Sequence, residues 1–402
     1  MHAPTSPCFA PRSAIRWRLI RVAFALPILA LLPGAGPAPQ GPALCATPRV
    51  RIDADFPAAG AWRCIVEAPD RVAIVIAPDR PPPLNPSPWY AVRYRITGDA
   101  PVTLRLSYLN AGHRYAPKVS ADGLSWHLLD PRSVRADKTG VSFVLPAEGQ
   151  FVAGQEIVDS ARHHQWLVAL AQRPGAMLRT IGESHDGRPI EALTFGNPRA
   201  KRIILLLGRQ HPPEVTGAFA MNAFLTALLG DDEEVRAMRA AVRFVAVPLL
   251  NPDGVDRGYW RTNMGGIDIN RDWGDFSQPE TRAVRDLVDA LVRDGVRPLV
   301  SIDFHSTDRN LFYTQGEGDN AAIYAWSKAW LDRARPHVPD YAFTQEPRNA
   351  NPGSGTAKNY FFQTYGIPSM TYEVGDETDR KAIATAARAF AIALSPSVIR
   401  AR

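Results

Sequence analysis

The stretch Ile203-Ile-Leu-Leu-Leu207-Gly-Arg-Gln-His211-Pro-Pro-Glu214 constrains the chain most. Its apolar run, Ile203 to Leu207, reads as a buried strand. Gly208 and the prolines stop that strand abruptly, and a helical pattern runs from Ala218 to Leu229 just beyond. A His and a Glu three residues apart therefore fall where a central strand hands over to a helix, which is where sites collect in α/β sheets. Pro212 and Pro213 fix the backbone between the two side chains, as a rigid chelate requires. The same residues also suit an exposed His beside a first-turn Glu that complements the helix dipole.

With 402 residues, 46% of them hydrophobic, the chain can form two domains with real cores. Its formal net charge of +6 is partly a leader effect. The first 46 residues hold Arg12, Arg16, Arg18 and Arg21 and no acid, so the remainder carries 42 bases against 40 acids, net +2. No Lys/Arg block remains to suggest nucleic acid. Residues 1–46 read as a signal peptide: basic from Arg12 to Arg21, apolar from Val22 to Leu32, then small residues suited to cleavage near Ala43 or Ala46. The apolar run is too short to span a bilayer and contains Pro27, and Leu44 stands where a lipidated Cys45 would need a small neighbour. The expectation is an exported protein, periplasmic or secreted, with no stable membrane insertion once the leader is removed; nothing in the chain specifies an oligomeric state. Of three cysteines, Cys8 leaves with the leader. Cys45 and Cys64 can pair only if cleavage falls before Cys45; otherwise Cys64 is a lone buried thiol.

From Val50 to about Ser160 the texture is strand-like. Arg71–Ile76, Tyr90–Ile96, Val102–Tyr108 and Val141–Leu145 alternate or run apolar, separated by turn residues such as Pro81-Pro-Pro and Ala121-Asp-Gly. That predicts an antiparallel β-sandwich over 47–160, with Trp89 and Trp126 as packing residues. The adjacent His163 and His164 point different ways on a helix or strand and do not chelate together, so they read as a polar surface segment at the domain junction. The boundary is placed between Ser160 and Gly175. Over 161–402 the pattern alternates: strands at Ile190–Phe195, Ile203–Leu207, Val242–Val247 and Leu299–Phe304, helices at Ala218–Leu229, Pro279–Arg293, Ala321–Arg335 and Arg380–Leu394. The fold class is α/β, with a largely parallel or mixed sheet flanked by helices. Gly316-Glu-Gly318-Asp-Asn-Ala321 matches the loose dinucleotide fingerprint, but its two acids would repel a pyrophosphate and it lacks a βαβ frame.

Four further stretches carry polar residues that core packing would not choose: Asn251-Pro-Asp-Gly254, Tyr259-Trp-Arg261 with Asp268-Ile-Asn270-Arg271, Ser301-Ile-Asp-Phe-His305, and Thr371-Tyr-Glu373. The first is explained fully as a turn. A charged group ending a buried strand destabilises unless it is paired or bound, and His305 and Glu373 sit as His211 does. Two His and a carboxylate leave zinc one open position for water, and a second carboxylate is available as general base. Two Arg and an Asn offer planar donors for a terminal carboxylate and a developing oxyanion. These are the parts of metal-assisted amide hydrolysis.

The ordered set His211-x-x-Glu214, Arg261, Asn270-Arg271, His305, Glu373 resembles the carboxypeptidase A-like zinc metallocarboxypeptidases over about Leu178 to Leu394. The leading sandwich is similar to that of the cytosolic-carboxypeptidase branch. The resemblance implies one Zn2+ held by His211, Glu214 and His305, with Asp268 steadying the His211 ring. It implies that Asn270 and Arg271 grip the free C-terminal carboxylate of a peptide substrate, that Arg261 stabilises the oxyanion and that Glu373 is the general base. Lys358 falls near the position that selects the leaving side chain, where it would favour an acidic residue; a solvated helix-start Lys fits as well. The family's usual Tyr is missing between Gln345 and Thr356, and neither Tyr341 nor Tyr360 is assigned to it. The alternative activities at such a site are an exported cell-wall peptide hydrolase and an N-acyl amino acid deacylase.

Overall fold

A computed structural model describes residues 43–82, 85–137, 140–348 and 353–400; most of the expected leader lies outside the described residues. Alternating apolar residues in the N-terminal third build two sheets from strands β1 (Cys45–Ala46), β2 (Val50–Asp53), β3 (Arg63–Ala68), β4 (Arg71–Ile76), β5 (Ala91–Ile96), β6 (Thr103–Tyr108), β7 (Lys118–Ser120), β8 (His127–Leu128), β9 (Arg135–Asp137), β10 (Gly140–Val144) and β11 (Phe151–Ala153). One sheet has the order β1-β2-β5-β11-β7-β8 and the other β3-β4-β6-β10-β9. Ile52, Tyr94 and Val152 from the first sheet and Ile74, Leu104 and Val141 from the second share one core, so the pair is a sandwich. It is not wholly antiparallel as expected. The chain leaves β4 to form β5 in the other sheet and returns as β6, which therefore lies parallel to β4. Cys45 and Cys64 form a disulfide with Cα atoms 5.8 Å apart, joining β1 to β3.

Beyond the sandwich come α1 (Ser160–Ala171), β12 (Met177–Glu183), β13 (Pro189–Gly196), β14 (Arg202–Gly208), α2 (Val215–Leu228), α3 (Glu233–Ala241), β15 (Arg243–Val247), α4 (Pro252–Asp256), α5 (Pro279–Arg293), β16 (Arg297–Thr307), β17 (Leu311–Thr314), α6 (Ala321–Ala334), β18 (Thr344–Pro347), α7 (Ala357–Tyr365), β19 (Ser369–Gly375) and α8 (Arg380–Arg400). The strands form one mixed sheet, β12-β13-β15-β14-β16-β19-β17-β18. Its centre, β15-β14-β16-β19, is parallel, and β13 and β17 are antiparallel to their inner neighbours. β14 shows why its sequence is apolar throughout. Ile204 and Leu206 pack toward α2 and α8, whereas Ile203, Leu205 and Leu207 pack toward α5 and α7.

The expected helices agree with α2, α5 and α6 to within three residues, whereas α8 runs six residues beyond the expected Leu394, and the periodicity does not reveal the shorter elements. Helix α1 occupies the expected domain junction. Asp159 caps it by accepting from Arg162 N, and His163 is buried rather than surface-lying, while His164 is exposed beside Glu191. In the Gly316–Ala321 segment, Gly316 N donates to Asp319 and Asn320 caps α6, so the turn is closed by its own side chains. Val215 and Trp260 belong to the sandwich core although they lie in the α/β sequence, and the described residues pack as one unit.

The bridge encloses a short loop, and closing one of this size stabilises by about 3 kcal/mol. Reducing the protein, or substituting Cys64→Ser, should shift thermal unfolding downward by a matching amount. Identical unfolding curves with and without reductant would contradict the pairing.

Candidate metal centre

The strand-to-helix turn after β14 is built by a residue held against its preference. Arg209 adopts φ 52° while buried; its Nε donates to the Pro212 carbonyl and its Nη1 to His163 Nε2 at 3.2 Å. Burial and the Arg209 charge push the His163 imidazole well below its ordinary value, so it stays neutral and accepts that bond. The turn delivers His211 and then Glu214, which immediately precedes α2. The first turn of α2 packs directly on β16. A Cβ at Gly217 would lie 2.6 Å from the His305 carbonyl oxygen, so glycine is required for this approach. Parallel pairing of β16 with β19 sets His305 opposite Glu373. Strand, turn and helix thus bring His211, Glu214, His305 and Glu373 together.

Glu214 is the hub of this group. Its two oxygens face His211 Nδ1 at 2.8 Å and His305 Nδ1 at 2.7 Å. The far edge of each ring meets another carboxylate, His211 Nε2 at Asp268 (2.9 Å) and His305 Nε2 at Asp303 (2.7 Å). Such outer carboxylates orient an imidazole so that its other nitrogen is free to ligate. One ligand atom from each of His211, Glu214 and His305 lies within 4.8 Å of the others. Burial lowers the His305 affinity for a proton, but Asp303 and Glu214 outweigh it and raise the value well above normal. Burial pushes the Glu214 carboxyl up, and the His211 and His305 charges more than offset this. The same field that stabilises positive charge here suits a cation, and two imidazoles with a carboxylate are a zinc donor set. Glu373 supplies a further buried acceptor: its Oε2, like Asp303 Oδ1, is enclosed without a hydrogen bond, and burial pushes the carboxyl up to about 7.

Asp268 ties three further residues to the centre. Beside the His211 ring it accepts from Arg261 Nε at 2.8 Å and from Asn270 N at 3.0 Å. Asn270 Oδ1 in turn accepts from Ala357 N at the start of α7, placing Lys358 next to it. Lys358 is buried rather than solvated; its Nζ donates to the Arg348 carbonyl, and burial pulls its ammonium down to about 8. All the sequence-predicted residues, His211, Glu214, Arg261, Asn270, Arg271, His305, Lys358 and Glu373, line one cavity of about 320 Å³. A larger groove of about 680 Å³ along β12, β13 and α5 contains none of them.

The cavity also holds residues that the sequence reading missed. Arg348 and Arg114 join Arg261, Arg271 and Lys358, so five cations face two carboxylates, Glu214 and Glu373. Tyr313 is the cavity's tyrosine, with the Arg348 guanidinium 5.0 Å above its ring. Tyr341 is instead buried on Tyr372, and Tyr360 packs on Trp273 and Phe276. Asp303 was legible in principle, since residues two apart on a strand share a face. Asp79 was not. From the sandwich, it accepts the backbone N–H groups of Trp260 (2.8 Å) and Thr262 (2.9 Å), bracketing Arg261. The Asn251 turn also has a positioning role, donating from Nδ2 to the carbonyls of Gln210 and Thr262 beside His211 and Arg261.

The chain is similar to several known proteins in sequence or in fold. An uncharacterized protein of Zymomonas mobilis is 26% identical over 296 residues, covering 70% of this chain and 77% of that protein. Mouse cytosolic carboxypeptidase 6 is 31% identical over 147 residues, 33% of this chain and 27% of its own length, so the match spans about a quarter of that relative. Among solved structures, a metallo-carboxypeptidase from Burkholderia cenocepacia superposes with a TM-score of 0.75 at 21% identity, covering 87% of this chain and 99% of its own. A metallo-carboxypeptidase from Pseudomonas aeruginosa, in complex with (2-guanidinoethylmercapto)succinic acid, gives 0.72 at 22% identity, with 87% and 100% covered. These structural likenesses establish the fold. The zinc carboxypeptidase profile matches residues 163–397, more than half of the sequence, and the chain belongs to the zinc carboxypeptidase family.

Proposed function

We propose that this protein is an exported zinc carboxypeptidase that removes single residues from peptides with a free C-terminal carboxylate. The observation that carries the reading is the convergence of His211, Glu214 and His305 beside Glu373 in a cavity lined by five cations. His211, Glu214 and His305 would hold one zinc ion, which supplies Lewis-acid activation of a water and of the scissile carbonyl. Glu373 takes the proton of the attacking water and delivers it to the departing amine nitrogen as the C–N bond breaks and the new C–O bond forms. Arg261, fixed by Asp268 through Nε, donates its remaining N–H groups to the developing oxyanion. Asn270 and Arg271 bind the terminal carboxylate. Lys358 and Arg348 would favour an acidic leaving residue, a reading supported by Tyr313 lining the cavity beside them.

The expected boundaries are 1–46 for the leader, 47–160 for the sandwich domain and 161–402 for the catalytic domain; because Cys45 and Ala46 form β1 of the sandwich, the leader proposed here ends before Cys45 and the sandwich begins with it. Export is supported by the leader composition and by the Cys45–Cys64 bridge, since such bonds persist in oxidising compartments. That bridge requires leader cleavage before Cys45. The mouse relative is named cytosolic, so the location proposed here differs from the one in that name. Among the described residues, no helix is long and apolar enough to cross a membrane. No contact favours the cell-wall hydrolase or deacylase activities, and neither is retained.

Replacing Glu373 with Gln should reduce kcat by about 1,000-fold while zinc content stays at one per chain; turnover near the wild-type rate would remove Glu373 as the base. Because the base acts ionised, kcat/KM should fall as pH drops through the Glu373 pKa. Burial sets that value near 7, and a bound dication moves it lower, so the acid limb should lie at or below neutrality. Asp268→Asn should weaken zinc binding by about 10- to 100-fold in competition with a chelating dye; unchanged affinity would contradict its hold on His211.

A further inference from the structure

Two loops of the sandwich reach the cavity that holds the metal ligands. Arg114, between β6 and β7, lines it with Ser87 and Asn85. The guanidinium is fixed at two points: Nε donates to Asp376 Oδ2 at 2.8 Å and Nη1 to Ser87 Oγ at 2.9 Å. Its Nη2 donates to none of the described residues, and the side chain keeps 25% of its surface exposed. Asp376 follows β19, the strand that carries Glu373, so the clamp also sets Arg114 close to the reacting groups.

The chemistry of this wall differs from that at Arg271 and Lys358, whereas Arg261 and Arg348 are ion-paired as Arg114 is, with Asp268 and Glu346. Arg271 and Lys358 make no salt bridge to a described carboxylate and offer unbalanced positive charge to a substrate carboxylate. Arg114 is already paired with Asp376, and its neighbours Ser87 and Asn85 are uncharged. It therefore presents a directed N–H donor more than a net charge, which suits a neutral carbonyl oxygen. A peptide whose terminal carboxylate is held by Asn270 and Arg271 must lead its preceding residues out past the remaining lining, and the sandwich provides that path.

Resting on the carboxypeptidase reading, we propose that Arg114 is a substrate-binding residue for the acyl side of the peptide, its Nη2 donating to a main-chain carbonyl upstream of the scissile bond. The sandwich then forms part of the binding site and makes the enzyme favour peptides over short acylated amino acids.

The test compares acetyl-Ala-Phe-Glu, which offers upstream carbonyls, with hydrocinnamoyl-glutamate, which presents the same ring and leaving residue without them. The wild type should prefer the peptide. Arg114→Ala should lower kcat/KM for the peptide by about 10-fold, mostly through KM, and for the short substrate by less than about 3-fold. Arg114→Lys keeps a cation beside Asp376 but cannot hold both anchors and the substrate, so it should reproduce the selective loss. It decides the matter if the Ala variant fails to fold, as judged by Tm and zinc content. Equal proportional losses on both substrates would overturn the assignment of Arg114 while leaving the carboxypeptidase reading intact. A zinc-loaded wild type that cleaves neither substrate would overturn that reading and this proposal with it.

Discussion

The Glu214 carboxylate, held between two imidazoles, is the interaction on which the site depends. Four ionisable side chains meet at the ends of central strands, and three of them are almost wholly buried. Removing such charges from water costs several kcal/mol each unless they are paired and hydrogen-bonded. Here the pairing is continuous: Asp268 to His211, His211 to Glu214, Glu214 to His305, His305 to Asp303. Breaking one link would leave each of the two groups it joined one buried hydrogen bond short. A chain of alternating carboxylates and imidazoles is also a field that retains a cation, so the network that makes burial tolerable is the one that would bind the metal.

The frame around that network is shared between the sandwich and the mixed sheet. Val215, directly after Glu214, and Trp260, directly before Arg261, are sealed in the sandwich core. Asp79 brackets Arg261 from the same side, while Arg114, Lys118 and Glu156 form ion pairs with residues 376, 377 and 380, just beyond the Glu373 strand. These contacts sit at the joints of the site: the start of α2, the Arg261 loop and the end of β19. The sandwich is thereby coupled to the geometry of the candidate site, not appended to it.

Much of the centre was legible because its residues break local rules. A continuous apolar run ending in Gly-Arg-Gln-His marks a doubly covered strand with a polar tip, and β16 and β19 repeat the pattern with His305 and Glu373. Periodicity located α2, α5, α6 and α8 for the same reason, since each buries a long stripe. The short elements gave no such signal. In α3 only Val235 and Met238 are fully buried, and α7 is nine residues long. His163 read as polar surface because its partner Arg209 is distant in sequence and itself an unexpected core residue. Asp79, Arg114 and Tyr313 act across elements that no spacing connects. The Cys45–Cys64 pair depends on β1 and β3 lying in facing sheets, which two positions in a sequence do not reveal.

The most direct measurement is release of the terminal amino acid from matched peptides ending in Glu, Ala or Lys, each with a free or an amidated C-terminus, before and after metal chelation. A metal-dependent site that reads the terminal carboxylate should release residues from the free peptides alone, Glu fastest, and should lose that activity to the chelator and recover it with zinc. Equal cleavage of the amidated peptides, or release that persists after the metal is stripped, would contradict the account.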